Sequence, residues 1–178
     1  KNKKNYSFDS KINLKNNSLI IDFLDYKKKA NLDSSILIKG SIDENKKLKF
    51  NLISLKEKQN EILIKDLGLS KNFKIIDVES FNIDYENNNK ILNKINLKKN
   101  NLNFIIEGES FDASKIINNI MDNDDENSSI FKSLTSKINI KIKKTYIDKV
   151  NYINNLFGNI DYNDNKIDNL KLESTFAN

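Results

Sequence analysis

Apolar and polar residues alternate along most of this chain with a period of two, the repeat by which a strand turns one side of itself inward. Tyr6, Phe8, Ile12 and Leu14 share one parity, Asn16-Asn17 supplies a turn, and Leu19, Ile21 and Phe23 resume the pattern until Lys27-Lys28-Lys29 closes it. Ile36, Ile38, Gly40 and Ile42 form the next run. Asp43-Glu44-Asn45-Lys46 then turns the chain into Leu48, Phe50 and Leu52, a pairing most economically read as an antiparallel hairpin. Ile62 and Ile64 open another strand, whose parity is interrupted at Asp66-Leu67-Gly68-Leu69. Phe73 and Ile75 differ in parity from Val78 but agree with Phe81, Ile83 and Tyr85, which predicts a bulge or bend near Ile76-Asp77. Asn87-Asn88-Asn89 turns the chain again, and a weaker strand runs from Ile91 to Leu97.

The rule changes between Asn101 and Met121. Leu102, Phe104 and Ile106 alternate as before, but the alternation stops at Gly108, which reads as a corner. Phe111 is then a buried anchor, and Asp112 stands where an N-cap belongs, able to accept from the N–H of Ser114 or Lys115. Ile116, Ile117, Ile120 and Met121 mark one face of a short helix over residues 112–121, and Ser128 or Ser129 could cap a second over 129–135. Strand pattern returns with Ile138, Ile140 and Ile142, continues less regularly from Val150 to Tyr162, turns at Asn163-Asp164-Asn165 and ends with Leu170, Leu172 and Phe176. Strands this closely spaced predict a mostly β fold, an antiparallel meander. Residues 1–178 read as a single module, with a strand meander over 1–100 and a strand–helix–strand segment over 101–178.

Composition narrows the chemistry. The chain has neither Cys nor His, which removes disulfides, thiol nucleophiles, Ser-His-Asp catalysis and zinc held by His or Cys. Its net charge of +5 comes from lysines interleaved with Asp and Glu, not from a basic patch with aromatics between, so no nucleic-acid partner is expected. With no Pro and four Gly, the turns must use Asn and Asp, the residues that best tolerate left-handed angles. No apolar run is long enough to span a bilayer. The chain opens on Lys1 and shows no signal peptide, which predicts a piece of a longer protein whose membrane segment lies elsewhere.

Two clusters of carboxylates invite a chemical reading. Acidic residues recur through Asp122-Asn123-Asp124-Asp125-Glu126-Asn127, but a calcium loop would need Gly where Asn127 stands and Glu where Ser133 stands. Asp84 and Glu86 share a strand face by simple alternation, the ordinary arrangement of solvated side chains. The expectation is therefore a chain that is not an enzyme and carries no metal and no cofactor.

From Leu102 to Phe176 the chain resembles the large bacterial AsmA-like envelope proteins of the YhdP type. The likeness rests on Gly108-Glu109-Ser110-Phe111-Asp112 at a strand end, the short helix and acidic loop after it, and the strand Ile138-Asn139-Ile140-Lys141-Ile142. It continues through Ile147-Asp148-Lys149-Val150 and the closing pair Asn155–Ile160 with Leu170-Lys171-Leu172. The resemblance implies a curved or groove-like sheet, a periplasmic β-groove anchored to the inner membrane by a segment outside these residues and flanked by adjacent modules of the same chain. Such a groove would carry phospholipid or another acyl lipid between the inner and outer membranes. Phe104, Ile106, Ile138, Ile140, Ile142, Leu170 and Leu172 would form its apolar wall, with Gly108, Phe111 and Asp112 structural. The competing expectation is a structural or adhesive β-repeat interaction module in which those side chains fill a closed core, since alternating strands more often build core than groove.

Overall fold

A computed structural model describes residues 6–115, 117 and 133–176. Ten strands follow one another across a single open sheet: β1 (Tyr6–Asn13), β4 (Ser34–Ile42), β5 (Leu48–Glu57), β6 (Asn60–Leu69), β8 (Ser80–Glu86), β9 (Leu92–Asn100), β10 (Asn103–Asp112), β11 (Ser136–Tyr146), β12 (Tyr152–Asn163) and β13 (Lys166–Phe176). The short β7 (Ile75–Asp77) pairs beside β6 and makes the sheet 11-stranded. Two strands stand apart from it, β2 (Leu19–Ile21) and β3 (Tyr26–Lys28), joined through a 3₁₀ turn at Asp22–Leu24.

Register converts the alternation into continuous rows. One row of directly opposed residues runs Ile12, Ile36, Leu55, Ile62, Ile83, Ile95, Gly108, Ile142 and Leu156, crossing the sheet from β1 to β12. The next row on the same face runs Ile38, Ile53, Ile64, Phe81, Leu97, Ile106, Ile140, Gly158 and Leu172. Opposed β-branched and aromatic pairs of this kind are what hold a sheet in one register.

The β2–β3 hairpin lies on this apolar face and covers part of it. Leu24 and Tyr26 from the hairpin pack with Leu55, Ile62, Ile83, Tyr85, Phe111 and Ile142 from the sheet to form the core. Tyr26 meets Tyr85 edge-on with ring centres 5.2 Å apart. The opposite face is richer in polar residues, with Leu37, Leu63 and Phe157 set among them, and its charges pair across strands, as in Lys39–Asp9 at 2.8 Å and Lys56–Glu61 at 3.1 Å.

Bulges explain where the sequence pattern broke. The register of β4 against β5 shifts at Lys39–Gly40, and on β6 Asp66 takes a left-handed φ of 48°. These irregularities return Phe50 and Leu67 to the apolar face, where the Phe8 ring packs edge-on to Phe50 at 5.7 Å over Gly40. The irregularity expected near Ile76-Asp77 is present: where β7 pairs with β6 the partners step from Leu69–Ile75 to Gly68–Asp77, leaving Ile76 as the extra residue.

Three expectations need correction. The sheet is mixed, not a pure antiparallel meander, because β11 runs parallel to β10 with Phe104 opposite Ile138 and Asp112 opposite Tyr146. Antiparallel neighbours can be joined by a tight turn, whereas a parallel neighbour needs a connection of about a dozen residues or more, which residues 113–135 supply. Second, no α-helix stands as an element among the described residues, although Ser114, Lys115 and Ile117 are helical. Asp112 does accept from the Ser114 N–H at 3.1 Å, and the Ile117 N–H donates to the Ala113 carbonyl at 2.9 Å, but Asp112 is itself the last residue of β10. Most of the helix expected over 112–121, the start of that expected over 129–135 and the acidic stretch at 122–127 lie outside the described residues. Third, Gly108 is not a corner. β10 continues through it with a bulge between Gly108 and Ser110, which turns Phe111 back to the core side.

Candidate functional site

Register brings the seven groove residues onto one face of β10–β13. Phe104, Ile138, Ile160 and Leu170 oppose one another in one row, Ile106, Ile140, Gly158 and Leu172 in the next, and Ile142 lies in the row beyond. Burial falls along these rows toward the sheet edge. Phe104 and Ile142 are buried, Ile106, Ile138 and Ile140 are half-buried, and Leu170 and Leu172 are 55% and 40% exposed. Ile167 and Phe176, which the sequence reading left out of the groove, oppose Tyr162 and Ile153 and are 48% and 78% exposed. The signal that could have added Ile167 is weak, because a register shift at Asp161–Tyr162 puts it out of phase with Leu170 and Leu172.

Two glycines fit this wall by necessity. A side chain at Gly108 would bring its Cβ to 2.5 Å from both Ile95 Cγ2 and the Lys94 carbonyl. Gly158 has φ +147°, and a Cβ there would sit 2.0 Å from the Lys171 carbonyl. The backbone of β13 thus lies close against β12, and the wall is low at that point.

Beneath the β2–β3 hairpin the apolar face is closed, and a set of polar groups is buried with it. Tyr26 donates to Glu57 Oε2 at 2.6 Å, and the Tyr85 hydroxyl donates to the Leu24 carbonyl. Burial pushes both phenols well above their ordinary range, helped for Tyr26 by Glu57 and for Tyr85 by the nearby Asp25 and Asp112 carboxylates. Asp112 accepts from Asn87 Nδ2 at 2.8 Å, and its own N–H donates to Asn93 Oδ1 at 2.8 Å. Asn87 Oδ1 in turn accepts from the N–H groups of Asn89 and Ile91, each at 3.0 Å. The carboxylate, the two amides and the turn of residues 87–91 therefore lock together, which is a structural arrangement with each polar group answered by a partner. Lys115 reaches over the rim to Asp22 at 2.9 Å and Asp25 at 3.5 Å.

On the polar face a shallow depression is lined by Glu61, Asp84, Lys94, Glu107 and Glu109. Its charges are largely engaged: Lys94 lies 3.5 Å from Asp84 and 3.9 Å from Glu109, and Glu61 is held by Lys56. Asp84 and Glu86 do not act as a pair, since Glu86 binds Lys90 at 3.0 Å. Both side chains are exposed. The feature of this molecule with unassigned capacity is its half-covered apolar face. Comparison with protein-family models, with characterised proteins and with solved structures finds no match for this chain.

Proposed function

We propose that the apolar face of β10–β13 is an acyl-lipid binding surface, one segment of a lipid-carrying groove in an AsmA-like envelope protein. The observation that carries this reading is the pair of continuous rows whose apolar side chains pass from buried to exposed without a polar interruption between β10 and β13. The four strands β10–β13, at roughly 4.8 Å spacing, are about 14 Å across, enough to seat part of an acyl chain laid against them. Each methylene removed from water against such a wall gains about 0.8 kcal/mol, so several contacts hold a chain while leaving it free to slide. Contiguous apolar surface of this kind on a folded chain ordinarily serves contact with something else. On this reading the module sits in the periplasm, tethered to the inner membrane by a segment outside these residues, and the cargo is phospholipid.

The test is extraction of the purified 178-residue chain with organic solvent and mass spectrometry of what is released, with a closed β-sandwich protein purified in parallel. Phospholipid in stoichiometric amount above that control is the expected result. A stably folded chain that is free of lipid and also refuses added lipid would overturn the proposal in favour of a packed interaction module.

A further inference from the structure

At one end of its strands the sheet raises large apolar side chains on its turns. The turn from β6 to β7 carries Phe73, 72% exposed, and the turn from β9 to β10 carries Leu102, 81% exposed. Register places both turns on the same rim, since Leu69 pairs with Ile75, Lys65 with Ser80, Ser80 with Lys98 and Asn100 with Asn103. Phe73 is held out there at a backbone cost. Its φ of 58° is left-handed, a conformation that Asn and Gly adopt readily and a bulky aromatic residue rarely does. The turn is nevertheless firm: the Phe73 N–H donates to the Ser70 carbonyl at 2.9 Å, and the Lys74 N–H to Ser70 Oγ at 3.1 Å. Strain kept at a position that buries so little points to a use for the side chain outside the fold.

We propose that this rim docks on a membrane, with Phe73 and Leu102 inserting into the interfacial layer of a bilayer that contains anionic phospholipid. The charge beside the turns has the sign such a surface attracts. Lys71, Lys74, Lys98 and Lys99 stand on the two turns and the adjoining strand end against Asp77 and Glu79, and Asp77 is already matched by Lys99 at 2.5 Å. Single apolar side chains raised on separate turns suit a fluid interface, which closes round each of them. A rigid protein partner would instead need a continuous apolar patch.

The rim also adjoins the wall. A shallow depression lined in part by Ile75, Ile76, Val78 and Leu102 reaches Phe104, the first member of a row that crosses to Leu170. An acyl chain entering from the bilayer beside Leu102 would have Phe104 as its first contact with the wall. That path rests on the lipid reading of the wall, whereas the docking does not. Strands added by a longer chain would extend the sheet beside β1 or β13, and turns at the strand ends stay clear of such a junction.

Co-sedimentation of the 178-residue chain with phosphatidylcholine–phosphatidylglycerol vesicles tests the docking. Wild type is expected to bind these vesicles, and to bind less when salt is raised or phosphatidylglycerol is left out. Phe73→Asn and Leu102→Asn should each weaken binding by about tenfold. Asn suits the left-handed turn better than Phe does, so the unfolding midpoint of Phe73→Asn should hold or rise, and its loss of binding is then no loss of fold. Val150→Asn removes a side chain that is 78% exposed at the opposite ends of the strands, beyond the Tyr146–Tyr152 pair, and should bind as wild type does. The chain has no Trp, so Phe73→Trp or Leu102→Trp introduces the only indole. Its emission should shift to the blue on vesicles, and that of Val150→Trp should not. A wild-type chain that leaves the vesicles unbound would overturn the proposal. So would undiminished binding by both F73N and L102N, or equal blue shifts from all three positions. A chain that docks but yields no extracted lipid would keep this inference and sink the cargo reading alone.

Discussion

A buried ammonium with three carbonyl partners and no carboxylate is stable only while all three stay in place. Lys28 is such a group: it is fully buried, and its Nζ donates to the carbonyls of Leu14, Lys15 and Asn17, the last two at 3.1 and 2.6 Å. It ties the segment after β1 to the β2–β3 hairpin. Lys28→Met keeps the length of the side chain but leaves three acceptors without their donor, at a cost of about 2 kcal/mol. The denaturant midpoint should fall with the m-value unchanged. The buried phenols predict a pH dependence with a definite sign. Tyr26 and Tyr85 have folded-state pKa values raised above the unfolded value, so their contribution is complete below about pH 10 and is lost as pH rises beyond it. Each phenol that stays neutral in the fold while ionising in the unfolded chain lowers stability by about 1.4 kcal/mol per pH unit there. Urea unfolding of wild type, Tyr26→Phe and Tyr85→Phe on both sides of about pH 10 checks this: each substitution should flatten the alkaline slope. Lys28 was not legible in the sequence, where a run of three lysines looks like a solvated strand end. Only the hairpin folded over the sheet takes the middle one out of water. The turns were better foretold: Asp25, Asn31, Asn101, Asp164 and Asn165 take positive φ, as a chain without proline and poor in glycine requires, though Lys58 and Phe73 do so as well. Lys46 and Lys90 share that conformation because their turns are fixed by the preceding Asp43 and Asn87 side chains, which hold the loop backbone.

At the scale of elements, stability should be graded across the sheet. β8 lies near its middle with Ile83 and Tyr85 buried under the hairpin, whereas β13 has one neighbour and no buried residue. Hydrogen exchange should therefore divide them. Amides of β8 should open only with global unfolding, and those of β13 through local fraying at a much lower free energy. Equal protection in both strands, measured on the monomer at low concentration, would contradict this gradient. The alternation revealed most strands because a half-covered sheet needs a period of two wherever it is. It could not reveal strand direction: Phe104, Ile106 and Gly108 oppose Ile138, Ile140 and Ile142 in a parallel pair, yet their pattern would read the same in an antiparallel one. Length was the available clue, since residues 113–135 are too many for a hairpin turn. Nor could alternation separate a bulge from a strand end. At Gly108–Ser110 the parity changes while the strand continues, and Phe111 reaches the core on the new phase.

At the scale of the whole molecule, the same apolar face serves two ends. Under the β2–β3 hairpin it is a closed core, and toward β13 it is open wall. Substitutions on this one face should therefore have opposite consequences depending on where they fall. Ile142→Asp places an unpaired charge among Leu24, Tyr26, Phe111 and their neighbours and should unfold the chain, a loss above about 4 kcal/mol. Leu170→Lys sits on exposed surface and should change stability by no more than about 0.5 kcal/mol. Its effect belongs to the lipid: an ammonium in the open wall removes apolar contact and must itself stay hydrated, so captured phospholipid should drop several-fold while the unfolding midpoint holds. If Leu170→Lys retained its full complement of lipid, the cargo would have to lie elsewhere, and the exposed half of this sheet would be a surface for protein alone.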